Sequence, residues 1–150
     1  MNRRGFTLIE LLVVISILGI LVNIAIPSVT ALRKRADAAR VVTDFNTIRG
    51  AAFDRYADTG TYPASAGWGQ VPRAMAPSLP DGFDFRHGSV TYRWQALSLT
   101  GLFGRPDPTS LLIVQVQSPD PEMITAILRV FAGDLAFGAG GSATFILAID

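Results

Sequence analysis

Side chains that could do chemistry are few and scattered in this chain. The single histidine, His87, follows Asp81 and Asp84 at three-residue spacings, which would in principle bring three metal ligands together. A Pro-Asp-Gly turn at residues 80–82 is the more ordinary explanation of this stretch, so we predict no metal site. With one histidine and no cysteine, no Ser/His/Asp or Cys/His grouping for nucleophilic catalysis is supported. The sequence therefore predicts neither an enzyme nor a cofactor.

A glycine-rich stretch near the C-terminus is a second candidate for chemistry. Gly138-Ala139-Gly140-Gly141-Ser142 does not follow a predicted strand and open a helix, which a phosphate-binding loop requires. We predict that residues 138–141 form a turn instead.

Glu10 is the most unusual carboxylate in the chain. It lies inside a 21-residue apolar run from Phe6 to Ile26 that is rich in Leu, Ile and Val. At about 1.5 Å per residue the run spans roughly 31 Å, which matches a bilayer core. An acidic residue at the centre of a membrane helix costs about 2.5–3.5 kcal/mol, and less near an end. No cationic side chain lies within the run, so we predict that Glu10 meets a partner on another chain or at a chain terminus.

The simplest alternative for this run is a plain membrane anchor or an uncleaved signal. A secretory signal has an apolar region of about 7–15 residues. The run here is longer and contains an acid, which favours a more specialised role.

The residues around Glu10 carry a family resemblance. Arg3-Arg4-Gly5-Phe6-Thr7-Leu8-Ile9-Glu10-Leu11 resembles the type III signal of type IV pilins and of the pseudopilins of type II secretion. The match continues through Gly19 and Ala25-Ile26-Pro27 and covers about the first 60 residues. The resemblance implies cleavage after Gly5 by a prepilin peptidase on the cytoplasmic face and methylation of the new N-terminal Phe6. It also implies that Glu10 pairs with the N-terminal amine of a neighbouring subunit.

Physical chemistry agrees with that implied pairing. A lone carboxylate in an apolar bundle is driven towards its neutral form, and an amine within reach favours the charged form. Such a pair adds little net stability, but a wrong register would leave both charges unpaired. We therefore predict that Glu10 sets the axial stagger between subunits.

Charges on the two sides of the apolar run do not fix its orientation. Arg3 and Arg4 favour a cytoplasmic N-terminus, but Arg33, Lys34 and Arg35 follow the run closely. The family resemblance implies that the N-terminus is cytoplasmic, that the head is periplasmic, and that the helix lies in the lipid bilayer before assembly.

The elements that position Glu10 are predicted as one long helix in two halves. The leader is residues 1–5, the apolar assembly half is 6–27 and the amphipathic half is 28–58. Pro27 removes a backbone donor and is predicted to kink or loosen the helix. The amphipathic half carries an apolar face at spacings of three and four, formed by Ala38, Val41, Phe45, Ile48, Ala52 and Tyr56.

Residues 59–150 are predicted to form a globular head. A long surface loop over about 64–85, with a short helix near 73–76, precedes strands predicted from alternation at 90–96, 112–116 and 145–149. Residues 101–109 indicate a turn region, and Ser118 or Asp120 is predicted to cap a helix at about 120–131. The predicted fold class is α+β and pilin-like: a long N-terminal helix packed against a small antiparallel sheet.

Charge composition argues against nucleic acid as a partner. The formal net charge is +1, and phosphate binding needs a clustered basic excess. Arg73, Arg86, Arg93 and Arg105 would bind DNA or an acidic partner if they met on one face, but we predict that they are scattered and solvated.

Two departures from the family pattern concern the head. Many type IV pilins close a C-terminal loop with two cysteines, and this chain has none. Many major pseudopilins carry a calcium loop with an Asp-Pro-x-Gly passage, which Asp107-Pro108-Thr109-Ser110 does not complete. This departure argues against a calcium site here and against assignment as a major pseudopilin.

The sequence predicts a structural subunit of a type IV pilus or pilus-like filament. One alternative is a pseudopilin of a type II secretion system, part of a periplasmic piston. Another is a minor or tip subunit that binds DNA or a surface. The implied partners are copies of itself or other pilins, the prepilin peptidase and an inner-membrane assembly platform driven by a separate ATPase. The implied location is the inner membrane, followed by an extracellular pilus or a periplasmic pseudopilus.

Overall fold

A computed structural model of the protein describes residues 6–99, 110–131 and 136–149. A long helix is followed by a five-stranded antiparallel sheet and a shorter helix, which confirms the predicted α+β class. The elements are α1 (Leu8–Thr59), a 3-10 turn (Ala76–Ser78), β1 (Arg86–His87), β2 (Val90–Ser98), β3 (Ser110–Gln117), α2 (Pro121–Val130), β4 (Ala136–Ala139) and β5 (Ser142–Ile149).

Internal contacts divide the chain after Ala36 into two units, Met1–Ala36 and Asp37–Asp150. We call the first the N-terminal unit and the second the head. Helix α1 begins in the N-terminal unit and ends in the head. Its helical assignment continues through Pro27, and a bend of the axis at Pro27 stays a prediction.

The apolar run of the N-terminal unit contains no buried residue between Phe6 and Ile26. Its most apolar 18-residue window has a mean hydropathy of 2.7 and none of it is buried, so α1 is long and apolar enough to cross a membrane. Polar side chains inside the run bond to their own helix: the Ser16 hydroxyl donates to the Leu12 carbonyl at 2.8 Å, and the Asn23 amide donates to the Gly19 carbonyl at 2.9 Å. The Ser16 hydroxyl proton and one of the two Asn23 amide protons are therefore bonded within the helix, which lowers their cost in an apolar surrounding.

The sheet of the head has the strand order β1-β2-β3-β5-β4, with every pairing antiparallel. The alternation predicted for 90–96 is confirmed, since Val90, Tyr92 and Trp94 of β2 are buried. In β3 the alternating residues Leu112, Val114 and Val116 are buried, and Ile113 between them is buried as well. The register of β3 with β5 shifts between Leu112 and Ile113, where β5 contains one extra residue, Leu147. Strands β1 and β4 were not predicted, because two and four residues are too short for a period to be read.

The predicted turn over residues 138–141 is wrong in its extent. Gly138 and Ala139 end β4, and the turn is Gly140-Gly141 alone, with φ values of 57° and 83°. Positive φ at both central residues is the requirement of a type I′ turn, one of the two common two-residue hairpin turns. Gly138 is not at the turn, but a side chain there would crowd α2, because a Cβ would lie 2.6 Å from Leu128 Cδ1.

The part of α1 in the head forms one wall of the core. The predicted face is buried at Ala38, Val41, Phe45, Ile48 and Ala52. The sixth member of that face, Tyr56, is 39% exposed and stacks on Tyr62 with ring centroids 4.3 Å apart.

An aromatic cluster joins α1 to the other elements of the head. Phe45 meets Phe131 and Phe145 edge to face, with centroids 5.1 and 5.6 Å apart. The predicted helix at 120–131 is confirmed as α2. Asp120 caps it by accepting from the Glu122 backbone N–H at 2.9 Å.

The segment 64–85 is more than the predicted surface loop. Met75 and Phe85 are fully buried in the core, and the short helix predicted near Arg73–Ala76 is the 3-10 turn Ala76–Ser78. These two apolar side chains fill space beside the sheet, so the segment is part of the head's packing. The predicted turn region at 101–109 lies outside the described residues.

The same segment covers the edge of β2 beyond the short strand β1. The Ala66 N–H donates to the Trp94 carbonyl at 3.0 Å, and the Gly69 N–H donates to the Tyr92 carbonyl at 2.8 Å. An exposed sheet edge is a template for unwanted pairing, and this segment occupies it.

Candidate assembly site at the start of the long helix

Thr7 and Glu10 form a closed pair at the start of α1. Thr7 directly precedes the first helical residue, Leu8, so Thr7 is the N-cap and Glu10 is the third helical residue. The Thr7 backbone N–H donates to Glu10 Oε2 at 2.8 Å, and the Thr7 hydroxyl donates to the same oxygen at 2.7 Å. The Glu10 backbone N–H reaches Thr7 Oγ1 at 3.3 Å. This is a capping box, in which each residue satisfies the other's backbone donor.

The capping box gives Glu10 a partner inside its own chain. Free N–H groups at a helix start are costly in lipid, where no water can bond to them. Thr7 and Glu10 satisfy two of these groups and supply two donors to the carboxylate. Thr7 was not among the predicted site residues, although the Thr-x-x-Glu spacing is a known sequence signal of a helix start.

The two bonds from Thr7 end on one carboxylate oxygen. Both use Glu10 Oε2, and no residue in the described part of the chain donates to Oε1. The Glu10 side chain is exposed. A carboxylate has about four acceptor positions on its two oxygens, so Glu10 can hold its own helix start and accept from a second chain together.

The predicted processing residues lie just before this site. Phe6 directly precedes the capping box and is 79% exposed. Gly5 lies outside the described residues, so cleavage of the bond before Phe6 stays a prediction.

A continuous apolar surface follows Glu10 along the helix. The large apolar side chains of this surface are between 45% and 70% exposed. They are Leu11, Leu12, Val13, Val14, Ile15, Ile17, Leu18, Ile20, Leu21, Val22, Ile24, Ile26, Val29 and Leu32, with Ile9 just before them. A surface of this size on a folded protein marks contact with lipid or with other protein.

Other candidate residues do not assemble into a site. Among the described residues, no group of three or more His, Asp or Glu side chains is placed to hold a metal ion, so Asp81, Asp84 and His87 do not form one. The Asp107 passage lies largely outside the described residues.

Of the four head arginines, Arg105 lies outside the described residues, and two of the others, Arg86 and Arg93, are not scattered as predicted. Arg86 is opposite Thr91 in the sheet, and Arg93 is two residues from Thr91 along β2, so the side chains of Arg86 and Arg93 lie on one face. The Arg93 guanidinium lies 5.8 Å from the centre of the Trp68 ring. Two arginines are a small fraction of what tracking a phosphate backbone requires.

A polar contact inside the head joins α1 to the sheet. The Tyr92 hydroxyl donates to Asp44 Oδ2 at 2.8 Å. Burial, and then the bond to Asp44, raise the pKa of the Tyr92 phenol well above its ordinary value. This contact stabilises the head and offers no reacting group.

Comparison with known proteins gives a matching family model and several relatives. The family model described as the prokaryotic N-terminal methylation motif matches residues 1–25. Several relatives carry the name type II secretion system core protein G, among them proteins from Klebsiella pneumoniae, Vibrio cholerae and Aeromonas hydrophila. The one from Klebsiella pneumoniae is 40% identical over 65 residues, which are 43% of this chain and 46% of the relative.

The other two matches extend further into the head. The relative from Vibrio cholerae is 32% identical over 93 residues, covering 61% of this chain and 62% of the relative. The relative from Aeromonas hydrophila is 30% identical over 120 residues, covering 73% of this chain and 82% of the relative. The chain thus spans about half the length of the Klebsiella relative and most of the Aeromonas relative. No solved structure matches the chain.

Proposed function

This chain belongs to the family of type II secretion system core protein G, the pseudopilins, and we propose that it is a structural subunit of a pilus-like secretion filament. The observation that carries the proposal is a carboxylate, Glu10, near the start of an apolar run, residues 6–26, whose side chains are all exposed. Such a surface needs a partner along its whole length. The Glu10 carboxylate needs a specific partner once that surface is covered.

Cohesion of the filament comes from packing of the apolar runs of neighbouring subunits. Each large apolar side chain that goes from water into a packed environment contributes about 1.5–3 kcal/mol. In lipid that gain is already made, so helix association there depends on close packing and on polar contacts. The exposed run therefore supplies affinity for an apolar surrounding and does not select one register.

Glu10 supplies the register. Its Oε2 is held by Thr7, and Oε1 is directed to the N-terminal amine of the neighbouring subunit. A shift of one helical turn, about 5.4 Å, would separate amine and carboxylate and leave two charges without partners. Thr7 acts as a positioning residue, because its two bonds restrict the rotamers of the Glu10 side chain.

The amine that Glu10 needs is made by processing. Removal of residues 1–5 by a prepilin peptidase makes Phe6 the first residue and places its amine one residue before the capping box. Methylation of that amine keeps its positive charge. The subunit before assembly is a single-pass inner-membrane protein with its head in the periplasm.

The secretion system is favoured over a surface pilus by the names of the relatives, since core protein G of type II secretion recurs among them. Force for assembly comes from a separate ATPase acting through a membrane platform, so the subunit itself needs no catalytic group.

The first experiment is quantitative mass spectrometry of the N-terminal peptide in two fractions, sheared surface filaments and membranes. The expected result is a peptide that begins at methylated Phe6 and is confined to the membrane fraction, where a short periplasmic filament remains after shearing. An intact Met1 in both fractions would overturn processing and leave a plain membrane anchor.

The same data separate the alternative functions. Dominance of the methylated Phe6 peptide in the sheared fraction would identify a major pilus subunit. A trace there, with most of the peptide in membranes, would identify a minor or tip subunit.

A further inference from the structure

Three consecutive basic residues follow the exposed apolar run on the same helix. Arg33, Lys34 and Arg35 lie on α1 one residue after Leu32, the last large apolar residue of the run. We call Arg33–Arg35 the basic segment. The side chains of Arg33 and Arg35 are exposed, and the segment lies at the end of the N-terminal unit, which closes at Ala36. Filament packing and register do not account for it.

Its distance from Glu10 matches the thickness of a membrane. Residues 10 and 33 are both within α1, and at about 1.5 Å per residue they are separated by roughly 35 Å along the axis. The hydrocarbon core of a bilayer is about 30 Å thick. When Glu10 lies at one boundary of the hydrocarbon, the basic segment lies among the head groups of the opposite leaflet.

The three side chains leave the helix in different directions. Successive residues of an α-helix are about 100° apart around the axis, so Arg33 and Arg35 lie on nearly opposite sides. One flat protein surface contacts only one side of a helix. A layer of lipid head groups surrounds the helix and reaches every side, and long basic side chains extend readily into such a layer.

Processing leaves the basic segment as the principal cationic feature beside the apolar run. Loss of residues 1–5 removes Arg3 and Arg4. What remains at the other boundary is the Phe6 amine with the Glu10 carboxylate, a pair without net charge. Attraction for anionic lipid is therefore concentrated at the end of the run that leads to the head.

We propose that the basic segment binds the phosphate groups of anionic phospholipids in the leaflet on the head side and holds the processed subunit there before assembly. This proposal rests on the proposed function, since it requires a membrane-anchored subunit. The guanidinium groups of Arg33 and Arg35 form paired hydrogen bonds with phosphate oxygens. Each basic residue near an anionic surface changes binding by about fivefold at low salt. Extraction into the filament then breaks these bonds, so the lipid composition influences how readily a subunit leaves the membrane.

The test is electron spin resonance of the full-length processed chain in vesicles of equal parts phosphatidylglycerol and phosphatidylcholine. Spin-labelled forms of each lipid report the fraction in contact with the protein, and hence the relative association constant. For the wild-type chain we expect a several-fold preference for phosphatidylglycerol that weakens as salt is added.

Three double variants test whether the lipid preference depends on the position of the basic residues, on their charge or on the arginine side chain itself. The double variant R33Q/R35Q is expected to lose most of the preference, and R33K/R35K is expected to keep it. The matched control R40Q/R49Q removes two exposed arginines from the same helix within the head, with the same change in net charge, and is expected to bind like the wild type.

Equal association of both lipids with the wild-type chain, or an unchanged preference in R33Q/R35Q, would overturn the proposal. So would loss of the preference on addition of inorganic phosphate at matched ionic strength, because the segment would then be a general phosphate site. Resistance of the chain to alkaline extraction is measured in parallel. A chain that is extracted contradicts the membrane anchor of the proposed function, whereas an integral chain without lipid preference contradicts only this inference.

Discussion

Helix α1 carries apolar residues in both units, and the two sets have opposite surroundings. In the N-terminal unit Leu11, Ile17 and Leu21 are each more than half exposed, whereas in the head Phe45 and Ile48 are at most 7% exposed. The backbone has the same α-helical hydrogen bonding in both units. The difference is that the head supplies a sheet and a second helix to cover one face of α1, and the described part of the N-terminal unit supplies nothing.

This contrast shows why one part of α1 belongs to a folded domain and the other part is suited to assembly. The head places its apolar residues on one face, so one partner inside the chain is enough. The N-terminal run is apolar on all sides, and such a helix is stable in lipid or surrounded by other helices. Four substitutions test this difference between the two parts of α1, and their expected effects decrease in the order Glu10→Val, Phe45→Ala, Tyr92→Phe and Thr7→Ala.

Glu10→Val should abolish assembly while leaving the protein in the membrane. It removes the only described acidic group of the apolar run, and with it the contact that we propose sets the register between subunits, while the affinity for lipid increases. The measurement is the amount of filament after overproduction, by electron microscopy, together with the membrane-bound amount. The control is Ser16→Val, which also removes a polar group from the run, and it should assemble normally. Filaments of normal number from Glu10→Val would contradict the register role.

Phe45→Ala should destabilise the head by about 3–5 kcal/mol, because it empties the centre of the Phe45, Phe131 and Phe145 cluster. Chemical unfolding of the full chain in detergent measures this through tryptophan fluorescence, since both tryptophans, Trp68 and Trp94, are in the head. Leu21→Ala in the exposed run is the control and should leave the transition in place. Equal shifts from the two variants would mean that the units do not differ as described.

Tyr92→Phe should destabilise the head by about 1–3 kcal/mol at neutral pH, because it removes the hydrogen bond to Asp44. The pKa of Tyr92 is raised above its ordinary value of 10.0 on folding, so the stability that depends on its neutral form is complete below that pH. This stability is lost as the pH rises above 10.0 in the wild type.

The variant therefore should lose less stability between neutral pH and strongly alkaline pH than the wild type. Unfolding midpoints measured across that range give the comparison. Tyr56→Phe, at a tyrosine that is 39% exposed, is the control, and it should keep the alkaline loss. A wild-type midpoint that does not move above pH 10.0 would exclude this assignment.

Thr7→Ala should have the smallest effect, confined to the first turn of α1. Without the N-cap hydroxyl we expect amide hydrogen exchange over residues 8–11 to become about three- to tenfold faster. Thr7→Ser retains the hydroxyl and should exchange like the wild type. Faster exchange throughout the helix, or none even at the first turn, would show that the capping box does not act locally.

The sequence predicted those features that depend on neighbours along the chain. The length and hydropathy of the apolar run, the buried face of α1 in the head, the alternation of β2 and the cap of α2 each follow from local spacing, and each is present. Glu10 was identified as a candidate site residue because a carboxylate is unusual in an apolar run. Its bonds to Thr7 were readable from the Thr-x-x-Glu spacing, since a capping box is a local structure.

Features that depend on distant contacts were decided by the tertiary structure. Strands β1 and β4 are too short to show a period and exist because β2 and β5 present edges to pair with. Met75 and Phe85 stand in a stretch without periodicity, and only the space beside the sheet made them core residues. That an apolar helix with one acid must find a partner follows from the residues alone, because hydropathy and charge are properties of the residues. The burial of one half of that helix and the exposure of the other were determined by folding, because the sheet covers only the part of α1 in the head.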